Sequence, residues 1–311
     1  MIGEKRKKII VIAGPTASGK SSVAMELARE FGGEIVNADS MQVYREMDVG
    51  TAKPTLEERK DVPHHLFDVV NPDENFNAAI YRSLTVPVIE DILARGRVCF
   101  VVGGTGLYIK TLLGGLLACP EADPNIREEL RREWEEVGAE ALHHKLALID
   151  PETAQKVHTR DRVRIIRALE IIRITGKSFS SLVQEHHFKN KTFHALKFCL
   201  QIEREDLYHR IDERSRSMLR KGLIEETANL LRKGYSPELK SMKSLGYRHA
   251  VRHLEGLIDL NQMIGELQKD TRRYAKRQLT WFKADPEMKW VFPEAIKILI
   301  NDINAFIGRN N

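Results

Sequence analysis

The chain has 311 residues, 42% hydrophobic and 30% charged, with a formal net charge of +5. That is enough chain for about two domains with buried cores, and the composition excludes a disordered, collagenous or disulfide-stapled protein. Cys99, Cys119 and Cys199 are the three cysteines and show no C-x-x-C spacing; this argues against a cysteine-rich zinc site and for a reducing compartment, read as the cytoplasm. No apolar stretch approaches the roughly 18 residues that span a bilayer. The basic start Glu4-Lys5-Arg6-Lys7-Lys8 lacks a following cleavage-site pattern, so neither a signal peptide nor a membrane partner is expected.

In chain order, the apolar run Ile9-Ile10-Val11-Ile12-Ala13 reads as a buried strand. It runs directly into Gly14-Pro15-Thr16-Ala17-Ser18-Gly19-Lys20-Ser21, the pattern G-x-x-x-x-G-K-S, and then into a helix over about 19–31. Strand, glycine loop and helix in that order form a phosphate-binding P-loop: glycine backbones let N–H groups converge on an anion, the helix start adds its positive dipole end, Lys20 adds a point charge and Ser21 offers a hydroxyl to Mg²⁺. Strand-like runs at about 34–38, 66–70, 97–103 and 195–202, with a further helix at about 77–95, predict an α/β fold, a parallel sheet flanked by helices. Ligands of such sheets bind beyond the carboxyl ends of the strands.

The proline-and-acid stretch Cys119-Pro120-Glu121-Ala122-Asp123-Pro124 reads as a boundary. From Asn125 to about Glu185 the pattern is helical and highly charged. The spacing predicts a helical insertion domain over 119–192, leaving through the polar stretch His186-His187-Phe188-Lys189-Asn190-Lys191. The core would then be 1–118 and 193–311, ending in helices at about 205–220, 222–233, 247–255 and 260–284.

Asp39 follows the second strand and could take a proton from a nucleophile, hold Mg²⁺ through water, or cap a helix. Gly103-Gly104-Thr105-Gly106 ends another strand in a second glycine-rich turn, either a ligand approach or a tight connection. Gly50-Thr51-Ala52-Lys53-Pro54 and His64-His65 fall in a polar loop region where binding groups are common. The histidine pairs lack metal-site spacing and no metal is assigned to them. Arg160, Arg164 and Arg167 share one face of a helix. Arg272, Lys276 and Lys283, with Arg273 and Arg277 adjoining, share another, opposite a face of Tyr274, Gln278, Trp281 and Phe282. Such stripes are either solvated faces or contacts to a polyanion. Arg210, Arg214 and Arg216 reach a phosphate or pair with acids. The loop by itself also admits a small-molecule kinase, and a non-catalytic RNA-binding protein is a further alternative.

Taken together, the blocks GPTASGKS, NADSMQVY, MDVGTAKP, HHLFDV, VVGGTGLYIKTLL and SLGYRHA with AKRQLTWF, in order over nearly the whole chain, resemble the tRNA dimethylallyltransferases, also called isopentenylpyrophosphate tRNA transferases. The resemblance implies transfer of a dimethylallyl group from dimethylallyl diphosphate to the N6 amine of adenosine 37 in tRNAs reading codons that start with U, giving N6-dimethylallyladenosine and diphosphate. It implies that Gly14 to Ser21 hold the diphosphate with Mg²⁺ on Ser21, that Arg214 assists, and that Asp39 is the base with Thr105 orienting the amine. Contacts to the tRNA anticodon stem-loop would come from Asp39, Ser40, Met41, Gln42, Thr105, Arg127, Val163, Arg164, Ile165, Ile166, Arg167, Lys243, Gly246, Tyr247, Arg248, Lys276, Arg277, Gln278, Trp281 and Lys283. A monomer is expected. Gly106 is smaller than its counterpart in some relatives, so a looser turn after Thr105 is expected.

Overall fold

The computed structural model describes residues 6–117, 119–186 and 192–308. The chain divides into two compact units, Met1–Leu113 with Thr192–Asn311, and Gly114–Lys191. The exit proposed at 186–191 lies outside the described residues apart from the backbone of His186.

The first half of the larger unit runs β1 (Lys8–Ala13), α1 (Lys20–Phe31), β2 (Glu34–Asn37), α2 (Leu56–Asp61), β3 (His64–His65), α3 (Ala78–Ala94), β4 (Cys99–Gly103) and α4 (Gly106–Gly114). The smaller unit contributes α5 (Pro124–Ile149), α6 (Pro151–Lys156), α7 (Arg162–Thr175) and α8 (Phe179–His186). The chain then returns to β5 (His194–Leu200), α9 (Arg204–Arg220), α10 (Leu223–Arg232), α11 (Tyr247–Leu254), α12 (Leu260–Lys283), β6 (Lys289–Val291) and α13 (Ile296–Ile307).

The six strands form one parallel sheet in the order β3-β2-β4-β1-β5-β6. Alternate residues of each strand enter opposite cores. Ile9, Val11, Val36 and Val101 pack with Tyr81, Ile109, Tyr247 and Phe282 on one face, while Ile10, Ile12, Ile35 and Phe100 pack with Leu27, Phe31, Leu299 and Ile303 on the other. Cover on both faces explains why β1 is an unbroken apolar run: a parallel strand has no solvated side for polar residues to occupy.

Register brings the strand ends to one rim. Ala13 pairs with both Gly103 and Cys199, and Asn37 pairs with Val102. The loops after β1, β2 and β4 therefore emerge side by side at the carboxyl edge.

The run predicted as a strand at 66–70 is instead a turn. Leu66 and Asp68 adopt φ of 63° and 56°, and Val69 and Val70 donate to the Val43 carbonyl. The paired strand is the preceding His64–His65. The predicted elements end at residue 284; β6 and α13 lie beyond it, and Leu299 and Ile303 of α13 close the core against α1.

In the smaller unit, Leu130, Leu142, Leu146, Ile165, Ile166 and Leu169 form a separate core. The same unit fully buries Glu170, which accepts hydrogen bonds from Arg127 Nε at 3.0 Å, Arg167 Nη1 at 2.6 Å and the Asp123 N–H at 2.8 Å. A buried carboxylate of this kind is tolerated only because its charge and its lone pairs are both met.

Candidate active site

The P-loop begins where β1 ends. Gly19 takes φ of 83° directly before α1, a left-handed conformation that a side chain disfavours. No side chain caps the helix start, which leaves its N–H groups free for an anion. Ser18 Oγ is buried with no hydrogen-bond partner. Thr16 N–H donates to Gln278 Oε1 at 2.8 Å, and Gln278 Nε2 donates to the Gly104 carbonyl at 2.9 Å. One amide from α12 thus ties the loop after β1 to the loop after β4.

Asp39 stands two residues past β2. Its Oδ1 accepts the Met41 N–H at 2.8 Å, forming a local turn rather than a helix cap; Oδ2 takes part in none of the described hydrogen bonds. The turn is fixed from behind by Asn37, whose Oδ1 accepts the Asp39 N–H at 2.9 Å, and by Thr105, whose Oγ1 accepts the Ser40 N–H at 3.0 Å and whose own N–H donates to the Ala38 carbonyl at 3.1 Å. Thr105 therefore does not line the cavity. It holds the turn that presents Asp39.

A cavity of about 330 Å³ opens between these loops and the late helices, and Thr16, Lys20, Ser21, Asp39, Arg214 and Tyr274 line its polar part. Met218, Leu245 and Leu267 add apolar wall. Lost hydration pulls the Lys20 ammonium down to about 8; Asp39 opposes this and the neighbouring Arg214 reinforces it. Lost hydration also holds Arg214 below its ordinary value, again against Asp39. Lys20 Nζ donates to the Pro15 carbonyl at 3.3 Å and Arg214 Nη2 to the Thr51 carbonyl at 3.3 Å. Both cations thus lean on neutral acceptors. Among the described residues no cluster of three or more His, Cys, Asp or Glu is placed to hold a metal ion, so a cation here would take one or two protein ligands and the rest from substrate and water, the habit of Mg²⁺.

The family described as IPP transferase matches residues 42–285, and that described as isopentenyl transferase matches residues 7–68. The chain is 50% identical over 307 residues to a tRNA dimethylallyltransferase of Geotalea uraniireducens, covering 98% of this chain and 99% of the relative. It is 52% identical over 286 residues to that of Geobacter sulfurreducens, covering 92% of each. The chain belongs to the tRNA dimethylallyltransferase family. Among solved structures, the full-length tRNA isopentenylpyrophosphate transferase from Bacillus halodurans aligns at a TM-score of 0.72 and 38% identity, over 97% of this chain and 96% of that one. A eukaryotic dimethylallyltransferase captured acting on tRNA aligns at 0.83 and 30% identity, over 98% of this chain and 80% of that one.

Against that membership, the residues expected to meet tRNA fall into three groups. Ser40, Met41, Gln42, Lys243, Arg248, Arg277 and Gln278 line the cavity with Asp39. Val163, Arg164, Lys276, Trp281 and Lys283 are exposed, and Lys276 and Lys283 have no acidic partner among the described residues. The remainder are structural. Ile165 and Ile166 lie in the core of the smaller unit, and Tyr247 is fully buried with its hydroxyl donating to Glu226, so their side chains cannot reach a surface ligand. Arg127 and Arg167 are engaged by Glu170. Gly246, at φ of 91°, sets the entry to α11. Of the wider basic stripes, Arg272 is paired with Asp212 and Arg273 with Asp270, and Arg160 lies in the turn before α7 rather than on it.

The turn after Thr105 is not loose. A Cβ at Gly106 would stand 2.1 Å from the Trp281 indole, so the ring fills the space a larger residue would take. In the loop after the Asp39 turn, Lys53 is a structural cation, donating to the Tyr44 carbonyl at 2.7 Å and Asp68 Oδ1 at 2.6 Å. Tyr274 also lines the cavity, and its four-residue spacing from Gln278 puts both on one helix face.

Proposed function

We propose that this chain transfers a dimethylallyl group from dimethylallyl diphosphate to the N6 amine of adenosine 37 in tRNAs reading codons that begin with U, giving N6-dimethylallyladenosine and diphosphate. The observation that carries the donor assignment is the pair Lys20 and Arg214, recessed together with no acid in ion-pair contact among the described residues. Two desolvated cations beside uncapped helix amides favour a highly charged anion. The adjacent wall of Met218, Leu245 and Leu267 suits a short hydrocarbon attached to it.

In the reaction, the N6 nitrogen attacks the allylic carbon as that carbon's bond to the diphosphate oxygen breaks. The electron pair of that bond leaves with the diphosphate. Lys20, Arg214 and the loop amides stabilise this charge where it grows. The adenine amine is a weak nucleophile because its lone pair is delocalised into the ring, so removal of its proton must accompany bond formation. Asp39 would accept that proton on Oδ2, its Oδ1 being engaged by the Met41 N–H. Ser21 would hold Mg²⁺, which supplies further neutralisation of the diphosphate. The base must leave the anticodon stack to enter the cavity, which is least costly in a single-stranded loop. A cytoplasmic monomer fits this reading, with Cys99, Cys119 and Cys199 all free thiols.

Incubation with labelled dimethylallyl diphosphate, unmodified tRNA and Mg²⁺ tests the assignment. Label in tRNA at adenosine 37 is the expected result. ATP-dependent phosphorylation of a small acceptor without label transfer would instead make the protein a kinase.

A further inference from the structure

Three consecutive backbone amides, 176 to 178 residues away in sequence, converge on one side chain of α10. Glu226 Oε2 accepts from the Asp48 N–H at 3.0 Å and the Val49 N–H at 2.8 Å, and Oε1 accepts from the Gly50 N–H at 3.1 Å and from the Tyr247 hydroxyl. Consecutive amides arranged this way form a nest that binds anions. Here the anion is built into the fold. The next residue, Thr51, carries the carbonyl that accepts from Arg214 Nη2 at 3.3 Å and from Gln42 Nε2 at 3.2 Å, so the segment held by Glu226 is the segment on which both cavity side chains rest. From its other end the same segment is pinned by Lys53, whose ammonium bonds Asp48 Oδ1 at 2.5 Å.

We infer that Glu226 is a positioning residue for the transfer, acting through the Asp48–Thr51 segment to set the guanidinium of Arg214 where the diphosphate leaves. The inference rests on the reading of Arg214 as a diphosphate ligand, and it adds the group that holds that ligand in place. Glutamine at 226 keeps the shape but loses the charge, and its amide nitrogen must face at least one N–H donor. The nest then opens and the Thr51 carbonyl loses its fixed position.

The test is a double-mutant cycle read by the dissociation constant of inorganic pyrophosphate, with the KM of dimethylallyl diphosphate alongside. Glu226→Gln is expected to weaken pyrophosphate about tenfold, the worth of a hydrogen bond to a charged group. Tyr247→Phe, which removes a single hydroxyl and no packing volume, should weaken pyrophosphate about threefold and covers the case in which Glu226→Gln folds poorly. In an Arg214→Ala background Glu226→Gln should add nothing, because its path to the ligand has been cut. Independent, additive losses, or unaltered pyrophosphate affinity in both Glu226→Gln and Tyr247→Phe while Arg214→Ala weakens it, would overturn the clamp and leave Arg214 standing. Undiminished affinity in Arg214→Ala would instead overturn the role of Arg214 itself. Glu225→Gln, on the exposed side of the same helix, should match the wild type.

Discussion

Glu170 in the smaller unit and the Lys20–Arg214 pair in the larger one are both charges drawn away from water, and they differ in what surrounds them. Glu170 has two arginines and a backbone amide on its two oxygens. Lys20 and Arg214 have each other, a neutral carbonyl apiece, and Asp39 at longer range. The first arrangement is complete as it stands and contributes to folding. The second leaves two desolvated cations on neutral carbonyls, the arrangement that the proposed diphosphate site calls for and a structural ion pair does not. The basic stripes cannot be sorted from sequence for this reason: Arg127 and Arg167, which meet the buried Glu170, and Arg164, which meets Asp161, look like Lys276 and Lys283 until the fold shows which of them has an acid beside it among the described residues.

Substitutions at the two sites should therefore move stability in opposite directions. Lys20→Met should abolish transfer, by about 10³-fold in kcat, while raising stability at pH 7 by about 1–3 kcal/mol, measured by urea denaturation. The sign follows from the depressed value of about 8 against an ordinary 10.5. The unfolded chain binds more protons than the folded one between those values, so the cost of the charged lysine is fully present below pH 8 and is relieved as pH rises toward 10.5. Loss of stability in Lys20→Met would break the contrast. Glu170→Leu should cost about 2–4 kcal/mol, by stranding two arginines, and leave pyrophosphate affinity untouched. A neutral effect there would mean the arginines find water instead.

The ratio of pyrophosphate affinities between wild type and Lys20→Met, which cancels the ligand's own ionisation, should hold below pH 8 and fall above it as Lys20 loses its proton; a ratio independent of pH up to 9.5 would remove Lys20 from the anion site. Lys276→Ala with Lys283→Ala should reduce the slope of log affinity for tRNA against log salt by about 1 to 2 units, roughly one per lost phosphate contact. An unaltered slope would return both lysines to the class of solvated surface charge.

The P-loop was legible in the sequence because its chemistry is contiguous: a buried strand, eight loop residues and a helix start follow one another without a gap. Strands β1, β2, β4 and β5 were legible as apolar runs. β3 was displaced because Val69 and Val70 have strand-like side chains but follow residues that turn with positive φ. β6 is too short, at three residues, to produce a pattern. α13 carries a helical signal beyond the last predicted helix, apolar residues at 296, 299, 300, 303 and 307. Asp39 and Thr105 could be placed at the rim by topology, but Thr105's role behind the turn depends on a hydrogen bond across 65 residues. The ties from Gln278 to Thr16 and from Glu226 to Val49 span 262 and 177 residues. No local pattern encodes such contacts.

In the proposed reaction the cradle around Lys20 and Arg214 holds the departing diphosphate while Asp39 takes the proton from the amine. Single-turnover transfer by Asp39→Asn, with pyrophosphate and tRNA both saturably bound beforehand in separate titrations, tests it most directly. The account predicts a rate of transfer lower by about 10²–10⁴-fold with both affinities preserved; transfer at the wild-type rate would contradict it.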